Sequence, residues 1–165
     1  MIKPILLLGN QKLYEKSIEI QKSELMDIKV IVDDLHDTLM NFKKIYNAGR
    51  AIAAPQIGIQ KRLLYMYIDK PVVFINPLIK FADDELMYVL DDCMSFPNLL
   101  VKVKRHKRCI IEYKDMNWNL CSIHLEGDLS ELLQHEYDHL DGILATMRAI
   151  DNKSFYIKNK IEVNL

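Results

Sequence analysis

Between Ile57 and Leu125 the chain breaks into six short β-rich runs, and the connections between them look too short for helical crossovers. The runs are Leu63 to Ile68, Val72 to Ile75, Glu85 to Leu90, Leu100 to Val103, Arg108 to Tyr113 and Trp118 to Leu125. Pro71, Asn76-Pro77, Pro97-Asn98 and the Lys114–Asn117 stretch punctuate them. A parallel pair needs a crossover of about a dozen residues or more, so this pattern predicts antiparallel sheets.

Helical patterns flank this region. From Ser17 to Tyr46, Ile28, Ile31, Leu35, Leu39, Phe42 and Tyr46 recur at steps of three and four, with Asp27, Asp34, Asp37, Lys43 and Lys44 largely between them. Asn47-Ala48-Gly49 follows, and glycine is the expected exit. A second helix is predicted from Asp128 to about Leu140, with Leu129, Leu132, Leu133 and Leu140 as its apolar stripe and Gly142 as its exit. Asp128 with Glu131 three residues on reads as a capping box. Beyond Met147 the chain is polar and weakly periodic, and no element is predicted there. At 165 residues, half of them hydrophobic, the expectation is one domain spanning residues 1–165.

Charge is nearly balanced, with 22 basic and 23 acidic residues, which gives no general reason to expect a nucleic-acid or membrane partner. The apolar run Ile5 to Leu8 is too short for a signal segment or a membrane span, so a cytoplasmic location is expected. The three cysteines, Cys93, Cys109 and Cys121, have no framework spacing and read as thiols of a reducing compartment.

The second helix carries the chemistry. In QHEYDH, Gln134 to His139, two histidines stand four apart, and on a helix such residues share one face with roughly 6 Å between Cβ atoms. His135 and His139 can converge on one divalent ion, with Glu136 near enough to take the proton of a water bound to it. Asp138 reads equally as a plain helix charge or as a group orienting a ligand. A catalytic ion wants a third protein ligand. No histidine follows His139, and Asp141 is too close along the helix. Upstream, DDCMSFPN places Cys93 where a strand runs into a turn, and a thiolate suits a reducing compartment. Cys109 and Cys121 lie in apolar strand patterns and read as packed core thiols, and His36, His106 and His124 as surface or hydrogen-bonded histidines.

Three segments together, GRAIAAPQ (Gly49 to Gln56), DDCMS (Asp91 to Ser95) and QHEYDH, resemble in order and spacing the motifs GxGLAAxQ, EGCLS and QHExDH of the peptide deformylase family. The likeness extends over nearly the whole chain. It implies an α+β fold with antiparallel β-sheets packed around a central HExxH-bearing helix, together with a long N-terminal helix. It implies Cys93, His135 and His139 as metal ligands and Glu136 as general acid and base. Gln56, through its side-chain amide, and Met94, through its backbone N–H, would hold the oxyanion. Gly49, Arg50, Ala51, Asp91, Asp92, Glu131 and Leu132 would contact substrate, and Asp91 would pair with Arg105. The cofactor implied is one divalent ion, Fe2+ in cells, with Zn2+, Ni2+ or Co2+ as alternatives in a purified sample. The implied reaction removes the N-formyl group from N-formylmethionine at the start of new polypeptides and releases formate. The implied partners are N-formylmethionyl nascent peptides, with the ribosome as a further candidate, and the expected state is a monomer.

Departures from the pattern bear on substrate and rate. Ala51 stands for the second glycine of the first motif and Ile52 for its leucine. Asp91 replaces a glutamate, Asp92 a glycine and Met94 a leucine, and Glu131 stands one turn before His135, where relatives often carry an apolar or basic residue. They motivate an alternative: a metal-binding homologue with altered or lost activity, acting on another acylated peptide or as a peptide-binding module. A general metalloprotease is a second rival. Nucleic-acid binding through KVKRHKR, Lys102 to Arg108, is a third; its alternation with Val101 and Val103 reads instead as the solvated face of an edge strand.

Overall fold

The structure, a computed structural model, describes residues 1–158. Two helices are present, α1 (Leu25–Tyr46) and α2 (Asp128–Leu140), with eight strands: β1 (Ala51–Ala53), β2 (Leu63–Tyr67), β3 (Pro71–Phe81), β4 (Leu86–Cys93), β5 (Phe96–His106), β6 (Arg108–Lys114), β7 (Leu120–Glu126) and β8 (Phe155–Ile157). They form a five-stranded sheet in the order β1-β2-β3-β6-β7 and a three-stranded sheet β4-β5-β8. Every strand pair is antiparallel, as the short connections require.

The larger sheet is covered on both faces, and the period-two alternation of its strands divides the core. Ile52, Leu63, Tyr65 and Ile75 face Leu35, Leu39 and Phe42 of α1. Their neighbours Ala51, Ala53, Leu64, Met66 and Phe74 face Leu132, Leu133 and Leu140 of α2. Each fully buried leucine of α2 contributes roughly 1.5–3 kcal/mol at most, so this stripe holds the helix that carries the two histidines against the sheet. The smaller sheet has its own cluster of Cys93, Phe96, Val101, Val103 and Ala145, and β5 meets α2 through the Arg105–Asp138 and His106–Gln134 contacts.

Several sequence expectations are corrected. The first helix begins at Leu25 rather than Ser17. Ser17–Gln21 is drawn into sheet-like contacts: Ile18 bridges Lys61, and the Ile20 N–H donates to Asn76 Oδ1 at 2.8 Å. Its left-handed exit residue is Asn47, with φ 50°, ahead of Gly49. No capping box forms at α2. Gly127 is the cap, and Asp128, already helical, pairs with Arg50 instead. Strands β3, β4 and β5 run well past their apolar centres, and β1 and β8 were not predicted. Leu99–Val101 of β5 is paired with β8, whereas Lys102–His106 pairs with β4 and on its other side has only the single bridge Val103–Ala149 among the described residues, in keeping with the edge expected there. Within KVKRHKR, Arg105 is buried, Lys102 and Lys104 lie over the Tyr88 ring, and Lys107 and Arg108 pair with Glu85. Cys109 is a core thiol, but Cys121 is half-buried because β7 is an outer strand. His36 meets the Tyr65 hydroxyl at 2.7 Å, and His106 stacks on Phe81. Among the described residues no helix is long and apolar enough to cross a membrane.

Candidate metal centre

Helix α2 delivers His135 and His139 on one face, and their Nε2 atoms are 3.2 Å apart. Cys93, at the end of β4, brings its Sγ to 3.3 Å from His139 Nε2. The hairpin from β4 into β5 turns at Cys93–Phe96, where the register shifts, and this turn aims the sulfur at the helix. One donor atom from each of the three buried residues lies within 4.8 Å of the others.

The set fits a tetrahedral divalent ion. With metal–nitrogen bonds of about 2.05 Å and a metal–sulfur bond of about 2.3 Å, tetrahedral angles place two nitrogens about 3.3 Å apart and nitrogen and sulfur about 3.6 Å apart. The two observed separations lie close to these. Three protein donors leave one position for water or substrate.

Around the donors the site is polar but tightly organised. The Ser95 N–H points to Cys93 Sγ at 3.4 Å. The Gln56 amide Nε2 lies 3.4 Å from the same sulfur and 3.3 Å from Ser95 Oγ, while its Oε1 accepts from the Ala53 N–H at 2.9 Å. The Glu136 carboxylate is buried, and its Oε2 has no hydrogen-bond partner among the described residues. Burial pushes its pKa up to about 7, against the pull of His135. A carboxylate so placed can carry a proton at neutral pH.

His135 Nδ1 lies 2.7 Å from Asp91 Oδ1. Arg105 Nη2 donates to Asp91 Oδ2 at 2.7 Å, and its Nη1 donates to Asp138 Oδ2 at 2.5 Å. Asp138 is gripped from its other side by Arg148, at 2.6 and 2.7 Å. Burial alone would raise the Asp91 pKa, but His135 and Arg105 outweigh it and hold the carboxyl at about 2. Burial drives His139 well below the ordinary histidine range, with His135 adding to the effect. For His135 burial acts the same way, yet the charges of Asp91 and Cys93 prevail and raise it.

Asp138 therefore touches the arginines, whereas the carboxylate on a candidate ligand is Asp91. That contact was not legible in the sequence, since it joins residues 44 positions apart (135 − 91). Two further positioning residues were missed. Gln134 clamps the end of β5, its Oε1 accepting from the His106 N–H at 2.9 Å and its Nε2 donating to the His106 carbonyl at 2.7 Å. Ser95 was visible only as the last letter of DDCMS.

A cavity of about 690 Å3 opens beside the cluster, and Gly49, Arg50, Ala51, Asp91, Asp92, Glu131 and Leu132 all line it. Gly49 has φ +110°, and an added Cβ would crowd Leu39 and Phe42. Ala51 packs in the core of β1, opposite Met66. Asp92 is exposed and forms an ion pair with Lys158, which lines the same cavity. Met94 is buried against α1. Glu131 is driven up to about 7, first by burial and then by the Asp91 charge.

An α+β fold that brings a cysteine sulfur from one hairpin to the two imidazoles and the carboxylate of an HExxH helix defines a metal-dependent hydrolase. The family model of polypeptide deformylase matches residues 2–155, and the chain belongs to that family. It is 38% identical over 150 residues to the peptide deformylase of Karelsulcia muelleri, covering 87% of this chain and 76% of the relative. The crystal structure of peptide deformylase from Thermotoga maritima superposes with a TM-score of 0.83 at 29% identity, over 92% of this chain and 99% of that one. A class I type b peptide deformylase from Acinetobacter baumannii, solved bound to Met-Ala-Ser, gives 0.82 at 25% identity, over 90% and 98%. The chain is an enzyme of the deformylase class.

Proposed function

We propose that this chain hydrolyses the N-formyl group of formylmethionyl peptides, with Cys93, His135 and His139 holding one divalent ion and Glu136 moving the proton. The observation that carries the assignment is the convergence of one sulfur and two Nε2 atoms beside a buried carboxylate whose Oε2 has no partner among the described residues. A divalent ion held there lowers the pKa of water and polarises the formyl oxygen. Glu136 accepts a proton from the attacking water and later delivers it to the leaving amine. The new C–O bond forms as the C–N bond of the formamide breaks, giving formate and a free amino terminus. Gln56 Nε2, with the Met94 N–H, supports the negative charge that develops on the formyl oxygen. Asp91 fixes the ring of His135 from behind.

The peptide lies extended along Gly49–Ala51, bonded through its main chain. That a relative is bound to Met-Ala-Ser, the peptide this reaction would leave, supports the reading. Within it the ion in cells is Fe2+, which a mixed thiolate and imidazole set suits. The chain acts as a single catalytic domain and a monomer on nascent peptides in the cytoplasm, beside the ribosome. Asp92 is tied to Lys158 and Ala51 packs in the core, and neither departure removes a ligand, Glu136 or Gln56, so they do not favour a non-catalytic homologue.

The test is release of formate from formyl-Met-Ala-Ser by the anaerobically purified, metal-loaded chain. Glu136→Gln should abolish turnover while the protein still retains one equivalent of metal. Full activity in that variant would refute the assignment.

A further inference from the structure

Beside the metal centre the cavity has an apolar wall of Phe42, Ile45, Tyr46 and Leu132, and against it stand two charged side chains, Arg50 and Glu131. The mechanism uses neither. The Glu131 side chain is only 12% exposed, and among the described residues it makes no hydrogen bond; its nearest cation, Arg50 Nη2, is 3.7 Å away, beyond hydrogen-bonding range. Arg50 Nη1 reaches outward to Asp128 Oδ2 at 2.9 Å. The guanidinium thus sits between a carboxylate at the rim and one inside, using one of its five donors among the described residues.

These groups are within reach of the substrate's first side chain. A formyl carbon beside Glu136 has the first α-carbon two bonds away and the side chain one bond further. Glu131 precedes His135 by one helical turn, a Cβ separation of roughly 6 Å. In the deformylase reading a four-atom side chain rooted at that α-carbon would lie in the cavity that Arg50, Glu131, His135 and Glu136 all line.

We propose that Arg50, held toward the cavity by Glu131, makes the pocket one that takes formylated peptides whose first side chain ends in a strong hydrogen-bond acceptor, the sulfoxide of oxidised methionine being the fitting case. The inference rests on the deformylase reading and deepens it. A wholly apolar pocket rejects a sulfoxide, because the oxygen gives up water and gains no donor. Here the free guanidinium N–H groups supply the donor, and the apolar wall still packs the methylenes. A thioether is only a weak acceptor, so unoxidised methionine gains nothing from Arg50 and is held by the wall alone. Without Glu131 the guanidinium is drawn to Asp128 and out of the pocket.

The experiment compares kcat/KM for formyl-Met-Ala-Ser and its methionine sulfoxide form. It uses the metal-loaded chain and the variants Arg50→Leu, Glu131→Leu and Glu131→Gln. Equilibrium binding of both peptides to the turnover-deficient Glu136→Gln chain, with and without Arg50→Leu, gives a second readout. The unsubstituted chain should process the two peptides within about tenfold of each other. Arg50→Leu should lower the sulfoxide-to-thioether ratio by about tenfold or more, in kcat/KM and in affinity alike. Glu131→Leu should shift it the same way, and Glu131→Gln, which keeps an oxygen facing Arg50, should restore it. Rejection of the sulfoxide by more than about a hundredfold, or a ratio unmoved by Arg50→Leu, overturns the proposal. No turnover of formyl-Met-Ala-Ser at all would instead refute the deformylase reading, and the affinity ratio would still decide the character of the pocket.

Discussion

Replacing Arg105 by methionine tests whether the buried ion network holds α2 to the smaller sheet. The side chain is 3% exposed and bonds Asp91 and Asp138 at once. Methionine keeps most of the apolar stem and deletes the charge. Asp138 then retains Arg148, but Asp91 keeps only His135. The Asp91 carboxyl sits at about 2 against an ordinary 3.8, a difference of 1.8 (3.8 − 2). At about 1.36 kcal/mol per unit this is about 2.4 kcal/mol favouring the folded state with Asp91 ionised. Burial works against that ionised form, so losing Arg105 also leaves a desolvated carboxylate short of a partner. Breaking such a buried pair costs about 3–5 kcal/mol, and the expected loss at pH 7 lies in that range.

Because the folded value is depressed, Asp91 stabilises the fold fully above about pH 4, and its contribution is lost as pH falls toward 2. The gap between parent and Arg105→Met should therefore narrow over that window. Urea unfolding followed through the single tryptophan, Trp118, at pH 7 and near pH 3 measures both effects. A loss below about 1 kcal/mol at pH 7, or a gap that does not change with pH, would refute the reasoning.

Three further outcomes are expected. Gln56→Ala should lower kcat by about a hundredfold to a thousandfold, as removal of an oxyanion donor does, with a smaller change in KM; steady-state kinetics on formyl-Met-Ala-Ser would show it. The Glu131 carboxyl is raised to about 7 from 4.5, so the stability it confers when protonated is lost as pH rises between those values. Glu131→Gln should remove that decline and be more stable at pH 8, by on the order of 3 kcal/mol (7 − 4.5 = 2.5 units), with little difference at pH 4, as denaturant titrations at the two pH values would report. At Gly142, with φ +70°, an added Cβ would lie 2.3 Å from the Tyr14 carbonyl oxygen. Gly142→Ala should cost at least about 2 kcal/mol in the same assay, and a neutral result would contradict the close approach.

Elements with strong local patterns were legible. The helix carrying the two histidines and the apolar stripe of α1 each repeat a period that the sequence displays directly, and strand β2 is a short continuous apolar run, as a strand buried on both faces should be. What misled were segments whose partners lie elsewhere. Ser17–Gln21 has residues a helix would accept, yet Asn76 and Lys61 claim its backbone. Ala51–Ala53 is too short to announce itself as a strand, and Phe155–Ile157 is ordered by pairing with Leu99–Val101. Asp128 carries a capping residue's chemistry, but Arg50 competes for its carboxylate.

On its own the sequence determined that two imidazoles share a helix face with a carboxylate beside them, because a helix repeats every 3.6 residues whatever surrounds it. It also determined that the sheets would be antiparallel, since the loops are too short for anything else. Only the tertiary structure decided which side of α2 receives Cys93, that Asp91 stands behind His135, and that Arg50 and Glu131 face the same cavity. Those meetings depend on strand register and on the packing of two sheets about one helix, where a shift of one residue would turn each side chain to the opposite face.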